Sequence, residues 1–142
     1  MAKASKELEY LATVPLFSAL SRTELRQVVQ SAEELDVDAG YELVKEGRVG
    51  REFFLILSGQ AVVRRGGRKV VTLGPGQWFG ELALIDNEPR SATVVAATDM
   101  KLLVLGQAEF GGLLDSIPGI AAKLLNGMAH RLRAADARAV SN

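Results

Sequence analysis

The chain has 142 residues, 48% hydrophobic and 24% charged, with 17 basic and 17 acidic side chains and a formal net charge of zero. Such a length and balance describe one folded unit able to bury an ordinary core. The lack of net positive charge argues against a surface built to neutralise nucleic-acid phosphates or to hold an anionic membrane. Without cysteine there is no disulfide, thiolate nucleophile or thiolate metal site. The first residues lack the apolar core of a signal peptide and no run of about 18 apolar residues occurs, so a cytoplasmic address is expected.

Two short helices are expected to open the chain. Lys6 to Val14 can form one that ends before Pro15, because the residue before a proline is pushed out of the helical region. Ser21-Arg22-Thr23-Glu24 has the form of a capping box ahead of Leu25, Val28 and Val29. From Glu34 the texture changes to short runs of Val, Leu and Phe, punctuated by Ala39-Gly40, Gly47, Gly50, Gly59, Gly66-Gly67 and Gly74-Pro75-Gly76. A hairpin is expected between Ala61-Val62-Val63 and residues 69–73, with Gly66-Gly67 at its tip. Strand signals return over residues 91–97 and 100–105, for seven or eight strands in all.

After Gly106 the pattern is helical. A short helix is expected around residues 107–114, then a break at Pro118-Gly119 that can act as a hinge. Beyond it Leu124, Leu125, Met128 and Leu132 recur at helical spacing as a stripe that wants burial. The expected fold is mainly β with flanking helices: N-terminal helices over residues 1–33, an antiparallel, jelly-roll-like β-roll over 34–105 and C-terminal helices over 106–142, all one domain.

The candidate site lies in residues 79–94, Phe-Gly-Glu-Leu-Ala-Leu-Ile-Asp-Asn-Glu-Pro-Arg-Ser-Ala-Thr-Val. Gly80 permits close backbone approach, and Glu81-Leu82-Ala83-Leu84 can open a helical turn with free N–H groups. Arg90 offers a planar fork of donors suited to phosphate oxygens, aimed by Pro89 before it. Glu81, an acceptor when ionised, suits a ligand hydroxyl instead. A phosphate beside a ribose would satisfy both residues.

This segment resembles the phosphate-binding cassette of cyclic nucleotide-binding domains of the catabolite activator and protein kinase A regulatory subunit type. The likeness extends through Leu16-Phe17-Ser18-Ala19-Leu20, through Gly47 and Gly50 ahead of Phe53-Phe54-Leu55-Ile56-Leu57-Ser58-Gly59, and through Leu73-Gly74-Pro75-Gly76. The resemblance implies a β-roll with a short phosphate-binding helix, and a C-terminal helix that moves on ligand binding. It implies that Glu81 holds the ribose 2′-hydroxyl and that Arg90 pairs with the ring phosphate. Gly80, the N–H groups of Leu82 and Ala83, and Ser91 would complete the cradle. Cyclic AMP is the expected ligand; Ser91 sits where a Thr favours guanine in some relatives, so cyclic GMP stays open. Arg51 stands where many relatives carry an acidic residue that steadies the arginine, and Glu52 is the candidate to replace it.

Other functions lack parts. Gly74-Pro75-Gly76-Gln77-Trp78-Phe79-Gly80 does not have dinucleotide-binding glycine spacing. Trp78 reads as a packing residue that closes the roll. His130, the only histidine, reads as a solvated helix residue, and Arg131 beside it is a candidate lid over the ligand. No enzyme is expected, and no metal or cofactor beyond the nucleotide. Two alternatives stand beside the sensor: an interaction or homodimerisation module using the C-terminal stripe, and the sensor piece of a transcription regulator lacking its DNA-binding domain. The effector protein is not specified by the residues.

Overall fold

The computed structural model describes the backbone of residues 2–141 and the side chains of residues 6–130, 132 and 133. Helix α1, Ala2–Ala12, is followed by a turn of 3-10 helix at Pro15–Phe17 and by α2, Arg22–Ser31. The capping box at α2 is complete. Ser21 Oγ accepts from the Glu24 N–H at 3.2 Å, and the Ser21 N–H donates to Glu24 Oε1 at 2.8 Å. Such a cap stabilises a helix by about 1 kcal/mol, and it aims Leu25 and Val28 inward.

Eight strands follow: β1 Glu33–Val37, β2 Glu42–Val44, β3 Glu52–Ser58, β4 Ala61–Arg65, β5 Arg68–Leu73, β6 Trp78–Phe79, β7 Thr93–Ala96 and β8 Met100–Gly106. They form two antiparallel four-stranded sheets, ordered β1-β8-β3-β6 and β2-β7-β4-β5. The β4–β5 hairpin turns at Gly66 and Gly67, both with positive φ. Helices α3, Gln107–Ser116, and α4, Ile120–Ser141, follow, separated at Pro118-Gly119 where Gly119 takes φ 74°. A mainly β roll with flanking helices is thus the fold.

Strand β3 shows why the first sheet has two cores. Successive side chains point to opposite faces, so Phe53 and Leu55 join the helices while Phe54 and Ile56 face the second sheet. Strand β8 repeats the division: Leu103 and Leu105 meet the helices, Met100 and Leu102 the roll. An edge-to-face pair, Phe17 on Phe53 at 5.6 Å, anchors the helical side; Phe54 and Phe79 stack at 4.7 Å on the roll side. Burying each such ring stabilises by about 1.5–3 kcal/mol.

The C-terminal stripe divides. Ile120 and Leu124 are buried in the helical core and Met128 packs against it, whereas Leu125 is 71% and Leu132 64% exposed. Leu125 follows Leu124 by one residue, about 100° around a helix of 3.6 residues per turn, so the two cannot share a face. Gly127 lets α4 press on the Pro15 carbonyl, where a Cβ would collide. Lys123 Nζ meets Glu24 Oε1 at 2.8 Å, tying α4 to α2 and holding the Glu24 carboxyl below its ordinary range. Trp78 packs against the helical core. His130 is exposed, and the side chain of the candidate lid, Arg131, lies outside the described residues.

Candidate functional site

A short turn of 3-10 helix, Glu81–Leu84, follows β6, and Gly80 enters it at φ 84°. L-residues reach that left-handed region only at a steric penalty, so glycine is required for the chain to reverse there. Ala83 and Leu84 are buried, and Leu84 joins the helical core, which leaves Leu82 outward at 43% exposure. The Ala83 N–H closes the turn on the Gly80 carbonyl at 3.1 Å. The Leu82 N–H precedes that first ring and has no intrahelical acceptor.

Arg90 is aimed by its backbone more than by Pro89 alone. Its N–H donates to the Arg48 carbonyl at 2.8 Å, its own carbonyl accepts from the Gly47 N–H at 2.9 Å, and Pro89 bridges Val49. The guanidinium then lies between Gly50 and Gly80, so close that a Cβ on either glycine would collide with it. Nη2 donates to the Glu52 carbonyl at 2.8 Å, while Nε is buried without an acceptor. Burial pulls the Arg90 pKa below its ordinary value, and the Glu52 and Asp86 carboxylates oppose the shift. Glu52 and Asp86 thus bring the charge opposite to Arg90, whereas the exposed Arg51 has the same sign.

These groups meet at a cavity of about 510 Å³, lined by Phe79 to Ala83, Asp86, Glu88 to Ala92 and Val94 together with Val44 and Val63 of β2 and β4, and Arg65. All six residues expected to bind ligand, Gly80, Glu81, Leu82, Ala83, Arg90 and Ser91, line it. Glu81 is buried at 8% exposure. The exposed Ser91 offers its carbonyl to Arg65 Nε at 3.1 Å. Val44, Val63 and Arg65 were not singled out from the sequence. Their only signal there is the two-residue alternation of β4, which puts Val63 and Arg65 on one face.

The chemistry of the lining is divided. Valines and Phe79 offer an apolar wall; Arg65 and Arg90 supply two cations, against the carboxylates of Glu81, Asp86 and Glu88. Cations, carboxylates and an apolar wall side by side suit a ligand that carries an anionic group, hydroxyls and an apolar part. Among the described residues no group of three or more His, Cys, Asp or Glu could hold a metal ion, and no helix is long and apolar enough to cross a membrane.

The family model described as the cyclic nucleotide-binding domain matches residues 34–116, more than half of the chain. The chain belongs to the cyclic nucleotide-binding domain family. It is 40% identical over 121 residues to a cAMP-dependent protein kinase regulatory subunit of Mycosarcoma maydis, covering 79% of this chain and 23% of that one. It is 41% identical over 113 residues to a cyclic nucleotide-gated potassium channel of Rhizobium etli, covering 80% of this chain and 32% of the channel. Among solved structures, the N-terminal domain of a transcriptional regulator from Streptomyces coelicolor superposes with a TM-score of 0.82 at 33% identity, over 91% of this chain and 93% of that one. The chain thus spans between about a quarter and a third of the length of these curated relatives. Cyclic nucleotide-binding domains of this kind form regulatory parts of larger proteins, and the β-roll is the fold they share with this chain.

Proposed function

We propose that this cyclic nucleotide-binding domain is a sensor that binds one cyclic nucleotide, cyclic AMP first, between the 3-10 turn and the β2–β4 wall. The ring phosphate pairs with Arg90, the ribose 2′-hydroxyl with Glu81, and the Leu82 N–H and Ser91 complete the cradle; the Ala83 N–H, expected to join them, is bonded instead to the Gly80 carbonyl. The single observation that carries this reading is Arg90: a half-buried guanidinium held between two glycines and fixed by the Glu52 carbonyl, lining the same cavity as buried Glu81. Cyclic GMP is the competing nucleotide.

On this reading the roll and its helices act as one regulatory, non-catalytic domain of a cytoplasmic protein. Occupancy passes to α4, because a ligand that prefers one helix arrangement shifts the balance between two. The test is calorimetric titration of cyclic AMP and cyclic GMP into refolded, ligand-free protein, with Arg90→Ala as control. Saturable binding lost in the variant supports the sensor; no heat with either nucleotide overturns it. The second reading, an interaction or homodimerisation module, is favoured by the exposed Leu125 and Leu132, seven residues apart on one face of α4. Mass photometry would show such dimers directly.

A further inference from the structure

Gln107 is the first residue of α3, and it is bonded to both halves of the site. Its backbone N–H donates to the Arg51 carbonyl at 2.7 Å. The next carbonyl along β3, that of Glu52, is the one that holds Arg90 Nη2. Its side-chain Nε2 lies 3.2 Å from the Ala83 carbonyl, 3.3 Å from the Asp86 carbonyl and 3.3 Å from Asn87 Oδ1. The start of α3 is thus attached both to the strand that anchors Arg90 and to the far end of the turn that carries Glu81.

The donor count gives this contact its interest. A glutamine amide has two N–H groups, and three oxygens surround Nε2, so the bonds can be shared out in more than one way. Any shift of the Ala83 or Asp86 carbonyl would therefore be felt at Gln107, whose two donors are shared among these oxygens. Phe110, three residues on and therefore near the same face of α3, is buried with Leu84 of the turn and with Ile120 and Leu124 of α4 in the helical core. An apolar contact and a polar one run in parallel from the turn to the helices, and the polar one has directional bonds that fix the turn's position.

We infer, on the cyclic-nucleotide reading, that Gln107 is the positioning residue that couples the ligand turn to α3 and α4. Its role is to make nucleotide binding and helix arrangement parts of one equilibrium, a reciprocal free energy between two places in the fold.

The test uses the full chain as wild type, Gln107→Glu and Gln107→Arg. Glutamate has the same shape and is favoured in the first turn of a helix, but when ionised it can only accept and faces three oxygens. Arginine keeps the donors. Cyclic AMP and cyclic GMP are titrated by calorimetry, and amide hydrogen exchange over α3 and α4 is measured with and without saturating nucleotide. In the wild type, exchange over α3 and α4 changes on binding. Gln107→Glu is expected to keep nucleotide affinity within about tenfold and to lose at least about half of that change, in the range where a coupling energy is measurable. Gln107→Arg is expected to recover it, which a purely structural role would not predict.

A Gln107→Glu protein with the full ligand-induced change overturns the inference, as does equal failure of the glutamate and arginine variants. Should Gln107→Glu fail to fold, Gln107→Arg alone decides, since loss of its helix response despite intact binding also overturns the inference. A wild type that binds no cyclic nucleotide overturns the sensor reading itself; one that binds without any change in α3 or α4 overturns only the coupling.

Discussion

Arg90 and Arg65 line the same cavity under opposite conditions. Arg90 is fixed through its backbone to Gly47 and Arg48 and through its guanidinium to Glu52, and two glycines close on its plane. Arg65 stands at the hairpin tip, exposed, with one bond from Nε to the Ser91 carbonyl. A guanidinium already half-buried and oriented loses less freedom when an anion arrives, whereas an exposed one must give up more water and rotamers. Placement in the cavity is therefore a weaker guide to energetic weight than the state of the group before the ligand comes.

The largest effect is expected from removing the oriented charge. Arg90→Ala should weaken cyclic-nucleotide binding by about 2–5 kcal/mol, the range for truncating one partner of a buried charge pair. Urea unfolding should show little loss of stability, since the variant also removes a buried donor with no acceptor. Calorimetry that finds wild-type affinity in this variant would refute the role given to Arg90. A sharper way to break the contrast leaves every charge in place. Gly80→Ala puts a Cβ at φ 84°, 2.8 Å from the Glu52 carbonyl and 2.5 Å from Arg90 Nη1. Stability should fall by about 1–2 kcal/mol from the backbone alone, and the displaced guanidinium should lose affinity by tenfold or more, about 1.4 kcal/mol. Retained affinity would mean that Arg90 does not depend on its wedge.

The six residues expected to bind ligand could be named from the sequence and line one cavity, whereas what supports them could not be read there. Gly80, Glu81 and Arg90 stand close together in one motif whose residue types announce an anion and a hydroxyl. What orients Arg90 is mostly backbone: the carbonyls of Arg48 and Glu52 and the missing side chains of Gly50 and Gly80. A carbonyl leaves no mark on residue identity. Val44, Val63 and Arg65 reach the cavity only because β7 pairs with both β2 and β4, a contact made by topology. In the fold, turn signals and the capping box marked the elements well, but β6 has two residues and β2 three, too few to show a period. The α4 stripe failed for a related reason: four leucine and methionine positions at nearly helical spacing hid the rotation between Leu124 and Leu125.

The smaller effects sharpen the comparison from its weak end. Glu81→Gln keeps an acceptor and removes the charge, so cyclic nucleotides should lose about 1 kcal/mol while inorganic phosphate, freed of one repelling carboxylate, binds at least as well as before. Competition calorimetry with both ligands separates the hydroxyl contact from the phosphate contact, and equal losses would place Glu81 outside the ribose contact. Arg65→Ala should cost least. Its guanidinium is solvated, and exposed charge contacts contribute about 0–1 kcal/mol; the bond to Ser91 carbonyl restrains the loop next to Arg90 without carrying it, because the Arg48 and Gly47 bonds to Arg90 remain. Titration of this variant should therefore give an affinity within a few-fold of wild type, about 1 kcal/mol at most. A loss as large as that of Arg90→Ala would show that Arg65 becomes desolvated in the complex, closing on the ligand from the hairpin, and the two arginines would then differ only until the ligand binds.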